Sequence, residues 1–274
     1  MRTTIHDIQS YKERGERFSV LTAYDYATAR VIDECGLPVI LVGDSLANVM
    51  HGEDSTVSVT MDDMLHHTRV VARGAANALV VGDMPFMSFQ TSPQDALRNA
   101  ARFLQEARAQ AVKLEGGEVM AETIRTLVER GIPVMGHIGF TPQSEFQIGR
   151  RYQGRRTADD ARRVLRDAQA VQDAGAFSVV LELVPEQLSH MITERLVIPT
   201  IGIGSGPHCD GQVQVVSDML GIVTDHIGRH VKRYADIADV MRSAVTAYAQ
   251  EVRDGVFPTA DHTRPLSQDI LNDL

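Results

Sequence analysis

The amino-acid sequence predicts a (β/α)8 (TIM) barrel with an N-terminal helix, formed by one chain of 274 residues. Short aliphatic runs alternate with segments of helical spacing, the pattern of parallel strands joined by crossover helices. Seven strand–helix alternations are clear and an eighth is weakly marked. Together they make the eight units that a closed (β/α)8 barrel needs. The first strand is followed by Ala23-Tyr24-Asp25 instead of a glycine-rich fingerprint, which argues against an open doubly wound sheet.

Each element follows from local patterns. Ile5, Ile8 and Tyr11 share one face of a short amphipathic helix over residues 4–14, and Asp25 is a suitable N-cap for the next helix. Strands are predicted at 18–23, 39–45, 78–82, 111–115, 132–137, 177–181 and 198–204, with a weak eighth at 221–223. The helices that follow are predicted at 25–34, 62–73, 93–107, 119–130, 159–174, 186–196, 211–220 and 234–253, with a polar loop at 48–59.

The composition is that of one globular domain spanning 1–274, with a proline-containing tail from about 255 to 274. A net charge of −9 argues against a general nucleic-acid binder. No signal core or membrane-length apolar stretch is present, so we expect a cytoplasmic protein with no membrane partner. Cys35 and Cys209 are far apart and form no CxxC pair, so we expect reduced structural thiols.

Three of the aliphatic runs stop on a carboxylate, at Asp44, Asp83 and Glu115. The carboxyl ends of parallel strands meet at one end of a barrel, and gathered carboxylates repel each other unless a cation holds them. Hard oxygen ligands favour Mg²⁺ or Mn²⁺ over zinc. The sequence therefore predicts a divalent metal site, with Glu115 bound directly or through a water; for any one acid alone, a helix cap is the simpler interpretation.

Other polar residues fall at the same strand ends. Lys113 lies two residues before Glu115 and so shares its face of the strand; a buried lysine is costly unless it is paired or functional. His137 taken alone favours a hydrogen-bonded structural histidine. Glu182 has aliphatic neighbours on both sides, and an apolar surround raises a carboxyl pKa, which suits a general base.

Two further motifs favour simpler interpretations. The glycine-rich stretch 201–206 is similar to a phosphate loop, but no lysine follows it, so we expect a tight turn. A short basic run in a loop is more typical of a solvated surface than of an anion site. That run contains Arg150, Arg151, Arg155 and Arg156.

Several motifs follow one another along the chain: Leu21-Thr22-Ala23-Tyr24-Asp25, Val42-Gly43-Asp44-Ser45-Leu46, Lys113-Leu114-Glu115-Gly116-Gly117, Gly136-His137-Ile138-Gly139-Phe140-Thr141-Pro142-Gln143-Ser144 and Ile201-Gly202-Ile203-Gly204. In this order they resemble one family, ketopantoate hydroxymethyltransferase, over about residues 1–260.

The resemblance implies a transferase that moves a hydroxymethyl group from 5,10-methylenetetrahydrofolate to 3-methyl-2-oxobutanoate. The product is ketopantoate (2-dehydropantoate), made for pantothenate biosynthesis through a Mg²⁺-stabilised enolate. It also implies a homo-oligomer, commonly a decamer, with one Mg²⁺ per subunit. By resemblance the metal ligands are Asp44, Asp83 and Glu115, the 2-oxo acid lies against Asp44, Ser45, Asp83, Lys113 and His137, and the base is Glu182.

The segment 145–155 departs from the family pattern and is one residue shorter, so it is a candidate for setting acceptor or folate preference. Two alternatives stay open at this point. One is another Mg²⁺-dependent lyase or mutase acting on 2-oxo acids, similar to isocitrate lyase or phosphoenolpyruvate mutase; these often bring a cysteine to the reacting loop. The other is a catalytically silent barrel used for binding or assembly, which should have lost an acid, Lys113 or Glu182.

Overall fold

The computed structural model describes residues 2–149, 152–224 and 228–274. Contacts divide the chain into two compact units, one of Met1–Val216 with Gly228–Lys232 and one of Ser217–Ile227 with Arg233–Leu274. The predicted single-domain organisation stays a prediction.

The first unit is a barrel of parallel strands that follow one another in chain order. They are β1 (Phe18–Thr22), β2 (Val39–Val42), β3 (Leu79–Asp83), β4 (Ala111–Glu115), β5 (Val134–Gly139), β6 (Ser178–Glu182), β7 (Thr200–Ile203) and β8 (Gly211–Gln214). Because β1 pairs in parallel with both β2 and β8, the barrel is closed. The predicted fold is confirmed.

Helices connect the strands on the outside of this barrel. Those of the first unit are α1 (Ile5–Glu13), α2 (Tyr26–Glu34), α3 (Met61–Gly74), α4 (Pro93–Gln105), α5 (Ala121–Glu129), α6 (Glu145–Ile148), α7 (Ala158–Asp173) and α8 (Glu186–Arg195). A short α9 (Val216–Met219) follows β8, and the second unit contains α10 (Ile237–Arg253) and α11 (Gln268–Asn272).

The barrel interior is a packed core. Alternate strand residues such as Leu79 and Val81 point inward into one buried cluster, which also contains Phe18 and Ala111 at the starts of their strands. Ile8 of α1 is fully buried in the same cluster. The N-terminal helix therefore closes the amino end of the barrel and leaves the carboxyl end for polar residues.

The prediction was wrong at the eighth strand. Residues 211–214 form β8, not the start of a helix, and Ile222 of the predicted strand is 43% exposed. A Cβ atom on Gly211 would lie 2.8 Å from the Phe18 ring, so this inward position is filled by its neighbour. Gln212 is exposed, which leaves Val213 as the one aliphatic residue and removes the apolar run that marks a buried strand.

Smaller differences concern boundaries and loops. The predicted loop 48–59 contains a π-helical turn at Ala47–His51 and a 3-10 turn at Thr56–Ser58. The last long helix begins at Ile237 instead of 234, and the tail contains a short helix, α11. Both cysteines are free thiols, Cys209 being buried but Cys35 exposed.

Among the described residues, none of the helices combines the length and the apolar character that a membrane crossing requires.

Asp33 in α2 binds the turn between α3 and β3. Its carboxylate accepts hydrogen bonds from the backbone N–H groups of Ala76, Asn77 and Ala78, at 3.1, 2.9 and 2.7 Å, and from the Asn77 side chain at 3.0 Å. Burial raises the pKa of Asp33, but these hydrogen bonds lower it further, so the net pKa lies below the usual value. The ionised side chain is therefore part of the fold.

We expect Asp33→Ala to lower the free energy of unfolding by about 2–4 kcal/mol, because three backbone N–H donors, that of Ala78 buried, lose a charged acceptor. The folded-state pKa is depressed, so this stabilisation is present above the unfolded-state pKa and is lost as the pH falls through the folded-state pKa. Urea denaturation at pH 7 and below about pH 4 should show the difference from wild type narrowing in acid.

Asp173→Ala is the matched control, since this exposed carboxylate accepts a hydrogen bond from Gln169 on the helix surface. It should change stability by about 0.5 kcal/mol or less. Equal losses in the two variants would contradict the role given to Asp33.

Candidate active site

The carboxyl ends of β3, β4 and β5 bring four predicted site residues together. Asp83 is in register with Lys113 on the next strand, and Glu115 is in register with His137. Residues in register on parallel strands point to the same side, and here that side is the barrel interior. All four side chains are at most 5% exposed, so the cluster is a buried one.

Lys113 forms the central ion pair. Its Nζ lies 2.8 Å from Asp83 Oδ1 and 3.1 Å from His137 Nδ1. Burial lowers the pKa of Lys113, but the neighbouring carboxylates, Asp83 above all, raise it further, so the net pKa lies above the usual value. The lysine is therefore paired with a carboxylate inside the barrel, which offsets the cost of placing its charge in a buried strand.

His137 lies between two carboxyl groups. Its Nδ1 is 3.4 Å from Glu115 Oε1, and its Nε2 is 3.1 Å from Glu182 Oε2. Burial and Lys113 lower the pKa of His137, whereas Glu115 and Glu182 raise it, and the balance stands at about 9. His137 therefore connects the carboxylate cluster to the predicted base.

Gln143 is a site residue that the sequence showed only as part of a motif. It is 3% exposed and follows β5 in a 3-10 turn, Pro142–Ser144. Its side-chain amide donates to Asp44 Oδ2 at 3.0 Å, and its backbone N–H donates to Glu115 Oε2 at 3.1 Å. Asp44 is also joined to Asp83, since its backbone N–H donates to Asp83 Oδ2 at 3.1 Å. The sequence offered only a weak signal for it, a polar residue in the loop that follows β5.

Ser45 has a buried partner. The Tyr24 hydroxyl lies 2.8 Å from Ser45 Oγ, and Tyr24 is 2% exposed. His67 on α3 lies against the same segment, its Nδ1 being 2.6 Å from the Tyr24 carbonyl oxygen. Tyr24 is the second residue after β1 and so lies near a strand end, although its sequence motif gave no indication of this contact.

The three acids fit a divalent cation by chemistry. Asp83 Oδ1 and Glu115 Oε1 are buried oxygens that, within the described ranges, accept no hydrogen bond, although Lys113 lies close to the former. Burial raises the pKa of Asp83, Lys113 lowers it, and the charges of Asp44 and Glu115 raise it; the net pKa is about 7. Burial also raises the pKa of Glu115. A bound cation would stabilise these buried carboxylates as anions, and hard oxygen ligands suit Mg²⁺.

The coordination geometry itself is not preformed. In the part of the chain that the structure describes, no three His, Cys, Asp or Glu side chains are already grouped around a metal position. The assignment of Asp44, Asp83 and Glu115 as metal ligands therefore stays a prediction.

Glu182 ends β6 at the margin of the cluster, with its side chain 18% exposed. Ser205, which is buried, fixes the chain on both sides of it. Its Oγ donates to the Leu181 carbonyl oxygen at 2.7 Å and accepts from the Val184 N–H at 3.0 Å. Leu183 between them has a φ of 48°, a left-handed conformation that a leucine rarely adopts. The Ser205 hydroxyl thus supports the turn that carries the predicted base, together with backbone hydrogen bonds from the Leu183 N–H to the Ile203 carbonyl oxygen at 2.9 Å and from the Phe140 N–H to the Glu182 carbonyl oxygen at 2.8 Å.

The remaining motifs are placed as follows. The stretch after β7 is a tight turn, in which Gly204 has a φ of 65°, and Ser205 faces inward to the β6 turn. Arg155 and Arg156 are exposed, whereas Arg150 and Arg151 lie outside the described residues. The role of segment 145–155 in substrate preference stays a prediction.

A family model described as ketopantoate hydroxymethyltransferase matches residues 2–260. The chain belongs to the ketopantoate hydroxymethyltransferase family. It is 60% identical over 263 residues to a 3-methyl-2-oxobutanoate hydroxymethyltransferase of Chloroflexus aurantiacus, covering 96% of this chain and 93% of that protein. A protein of the same name from Dehalococcoides mccartyi is 53% identical over 275 residues, covering 100% of this chain and 98% of the relative.

Solved structures with the same fold are more distant in sequence. A phosphonopyruvate hydrolase superposes with a TM-score of 0.60 at 14% identity, covering 98% of this chain and 94% of its own. A 2,3-dimethylmalate lyase superposes with a TM-score of 0.59 at 15% identity, covering 97% of this chain and 90% of its own. These show the fold alone. Membership of the ketopantoate hydroxymethyltransferase family confirms the predicted enzyme and sets aside both the silent barrel and the lyase or mutase alternative.

We expect Ser205→Ala to lower kcat about tenfold with little change in the KM for the 2-oxo acid, because the Glu182 turn loses its fixed geometry. Steady-state kinetics measures both constants. Ser178→Ala, at the start of the strand β6 that ends on Glu182, is the control. This buried hydroxyl has no hydrogen-bond partner among the described residues, so its removal should leave kcat near wild type. Unchanged kcat in Ser205→Ala would refute the positioning role.

Proposed function

We propose that this enzyme transfers a hydroxymethyl group from 5,10-methylenetetrahydrofolate to 3-methyl-2-oxobutanoate, giving ketopantoate in pantothenate biosynthesis. The observation that carries the proposal is the buried cluster of Asp44, Asp83, Lys113, Glu115 and His137 with Glu182 at its margin. The relatives at 53–60% identity are named 3-methyl-2-oxobutanoate hydroxymethyltransferase, which supports the acceptor and the transferred group of this proposal.

The cluster can bind a 2-oxo acid through charge and hydrogen bonding. Asp44, Asp83 and Glu115 would hold Mg²⁺, which supplies Lewis-acid polarisation of the 2-oxo group and stabilises negative charge on its oxygen. The Lys113 ammonium offsets the charge of the substrate carboxylate. The Ser45 hydroxyl, oriented by Tyr24 at 2.8 Å, donates to the same carboxylate.

Glu182 is the proposed general base. It removes the proton from C3 of 3-methyl-2-oxobutanoate, and the electron pair of the broken C–H bond forms the enolate. His137 Nε2 lies 3.1 Å from Glu182 Oε2, within ion-pair distance, and so holds the carboxylate in place. The methylene carbon of the folate then forms one bond to C3 and one to the oxygen of a water, while its bonds to N5 and N10 break. The two nitrogens take up the proton that Glu182 removed and one proton of the water, so the carbon becomes the hydroxymethyl group and tetrahydrofolate leaves.

The proposal also covers the oligomeric state, the location and the partners of the protein. The family resemblance indicates a cytoplasmic homo-oligomer, commonly a decamer, that binds small molecules and neither nucleic acid nor membranes. The 145–155 segment is proposed to tune acceptor or folate preference.

We expect the purified protein to convert 3-methyl-2-oxobutanoate and 5,10-methylenetetrahydrofolate to ketopantoate when Mg²⁺ is present, as followed by mass spectrometry. EDTA should stop the reaction, and added Mg²⁺ should restore it, because the carboxylate cluster would lose and regain its cation. Absence of product with Mg²⁺ would overturn the proposed activity. Full turnover in EDTA would overturn the metal assignment alone.

We expect Glu182→Gln to slow the exchange of the C3 proton for deuterium, without folate, by about 100-fold or more, because the amide cannot accept that proton. NMR measures the exchange, and calorimetry should find 2-oxo acid binding within about threefold of wild type, since the binding groups remain.

Glu186→Gln on α8 is the matched control, because its carboxylate is exposed and lies beside His208. It should exchange at the wild-type rate. Normal exchange in Glu182→Gln would remove Glu182 from the role of base.

A further inference from the structure

We propose that Gln143 is a positioning residue that holds two of the predicted metal ligands, Asp44 and Glu115, and that Gln90 fixes the orientation of its amide. This inference rests on the proposed function, because it concerns how this chain prepares its cation site. It assigns no contact between Gln143 and the reacting atoms.

Gln143 reaches carboxylates that follow two different strands. Its Nε2 donates to Asp44 Oδ2, beyond β2, and to the Met84 carbonyl oxygen, beyond β3, both at 3.0 Å. Its backbone N–H donates to Glu115 Oε2, at the end of β4, at 3.1 Å. Both amide hydrogens and the backbone N–H are therefore engaged, and all of these contacts are buried.

Gln90 selects which way the amide points. Its Nε2 donates to Gln143 Oε1 at 3.1 Å. If the Gln143 amide turned over, its oxygen would face the Asp44 carboxylate and the Met84 carbonyl, and its NH₂ would face the donor of Gln90. Every one of these contacts would then be repulsive, so the observed orientation is the one that satisfies all the partners.

The contact orients the acids without neutralising them. Lys113 is a cation and offsets the charge of Asp83, whereas Gln143 is neutral and leaves Asp44 and Glu115 their charge. It binds Oε2 of Glu115, and Oε1 of the same carboxylate accepts no hydrogen bond among the described residues. One oxygen is thus anchored by a hydrogen bond, whereas the other has only the longer 3.4 Å ion-pair contact with His137 Nδ1 and can still accept a ligand. Anchoring one oxygen in this way is what an outer-sphere donor does for a metal site.

Gln143→Met tests the inference directly, since methionine keeps the length of the side chain and the backbone N–H but removes both side-chain donors. Titration calorimetry on the purified full-length protein should show the Mg²⁺ dissociation constant rise about 10- to 100-fold. Saturating Mg²⁺ should recover much of the C3 exchange rate, because weak cation binding, not a damaged fold, causes the loss.

Gln90→Met provides a second variant in which Gln143 stays in place but loses the partner of its oxygen. Its Mg²⁺ affinity should fall in the same direction by a smaller factor. Gln172→Met is the matched control. Gln172 lies on α7, away from the acids, and its side-chain oxygen accepts a hydrogen bond from the Val197 N–H at 2.6 Å. It should lower the melting temperature and leave Mg²⁺ affinity unchanged.

The outcomes separate this inference from the proposed function. Wild-type Mg²⁺ affinity in both Gln143→Met and Gln90→Met overturns the positioning role and leaves the proposed reaction standing. If Gln143→Met does not fold, an unchanged affinity in Gln90→Met has the same consequence. A wild-type protein that binds no Mg²⁺ overturns the cation site of the proposed function, and this inference with it.

Discussion

The ion pair between Lys113 and Asp83 is the contact on which the site depends. Both side chains are almost fully buried, and their charged atoms are 2.8 Å apart. A lone buried charge would be very costly, so neither residue is tolerable at its strand end without the other. The pair exists because β3 and β4 are in register at these two positions. Closure of the barrel, and the aliphatic layers beneath, keep water from it.

The Lys113 ammonium forms its ion pair with Asp83 and does not neutralise every acid in the cluster. Uncharged hydrogen-bond donors from the loops orient the remaining acids. The Asp44 backbone N–H binds Asp83, Gln143 binds Asp44 and Glu115, and Ser205 binds the chain on either side of Glu182. These donors fix carboxyl positions without removing their charge. The strands therefore supply the charged groups, and the loops after β5 and β7 supply their orientation. Rigid positioning of this kind lowers the cost of ordering a bound ligand.

Strand-end acids could be predicted because an aliphatic run that stops on a carboxylate marks the end of a buried strand within the local sequence. Asp44, Asp83 and Glu115 all lie where parallel strands should place them. The role of Gln143 could not be predicted in this way, because its hydrogen-bond partners lie at or after the ends of three other strands and are not its neighbours in the chain. The position of β8 was also missed, because the Phe18 ring fills the space where Gly211 would carry a side chain. In both cases the structure is determined by contacts between residues far apart in the chain, which a local sequence pattern does not show.

The register of the strands also separates binding from proton transfer. Glu115 lies opposite His137, whereas Glu182 lies opposite Gly139, two residues nearer the mouth of the barrel. Side-chain exposure follows the same order, from 3% for Glu115 to 18% for Glu182. In the proposed reaction, the 2-oxo and carboxylate groups therefore face the buried acids and Lys113, and C3 faces outward to Glu182. The carbon that becomes nucleophilic then points to the side from which a bulky folate can approach, and the rest of the substrate stays in the dry interior.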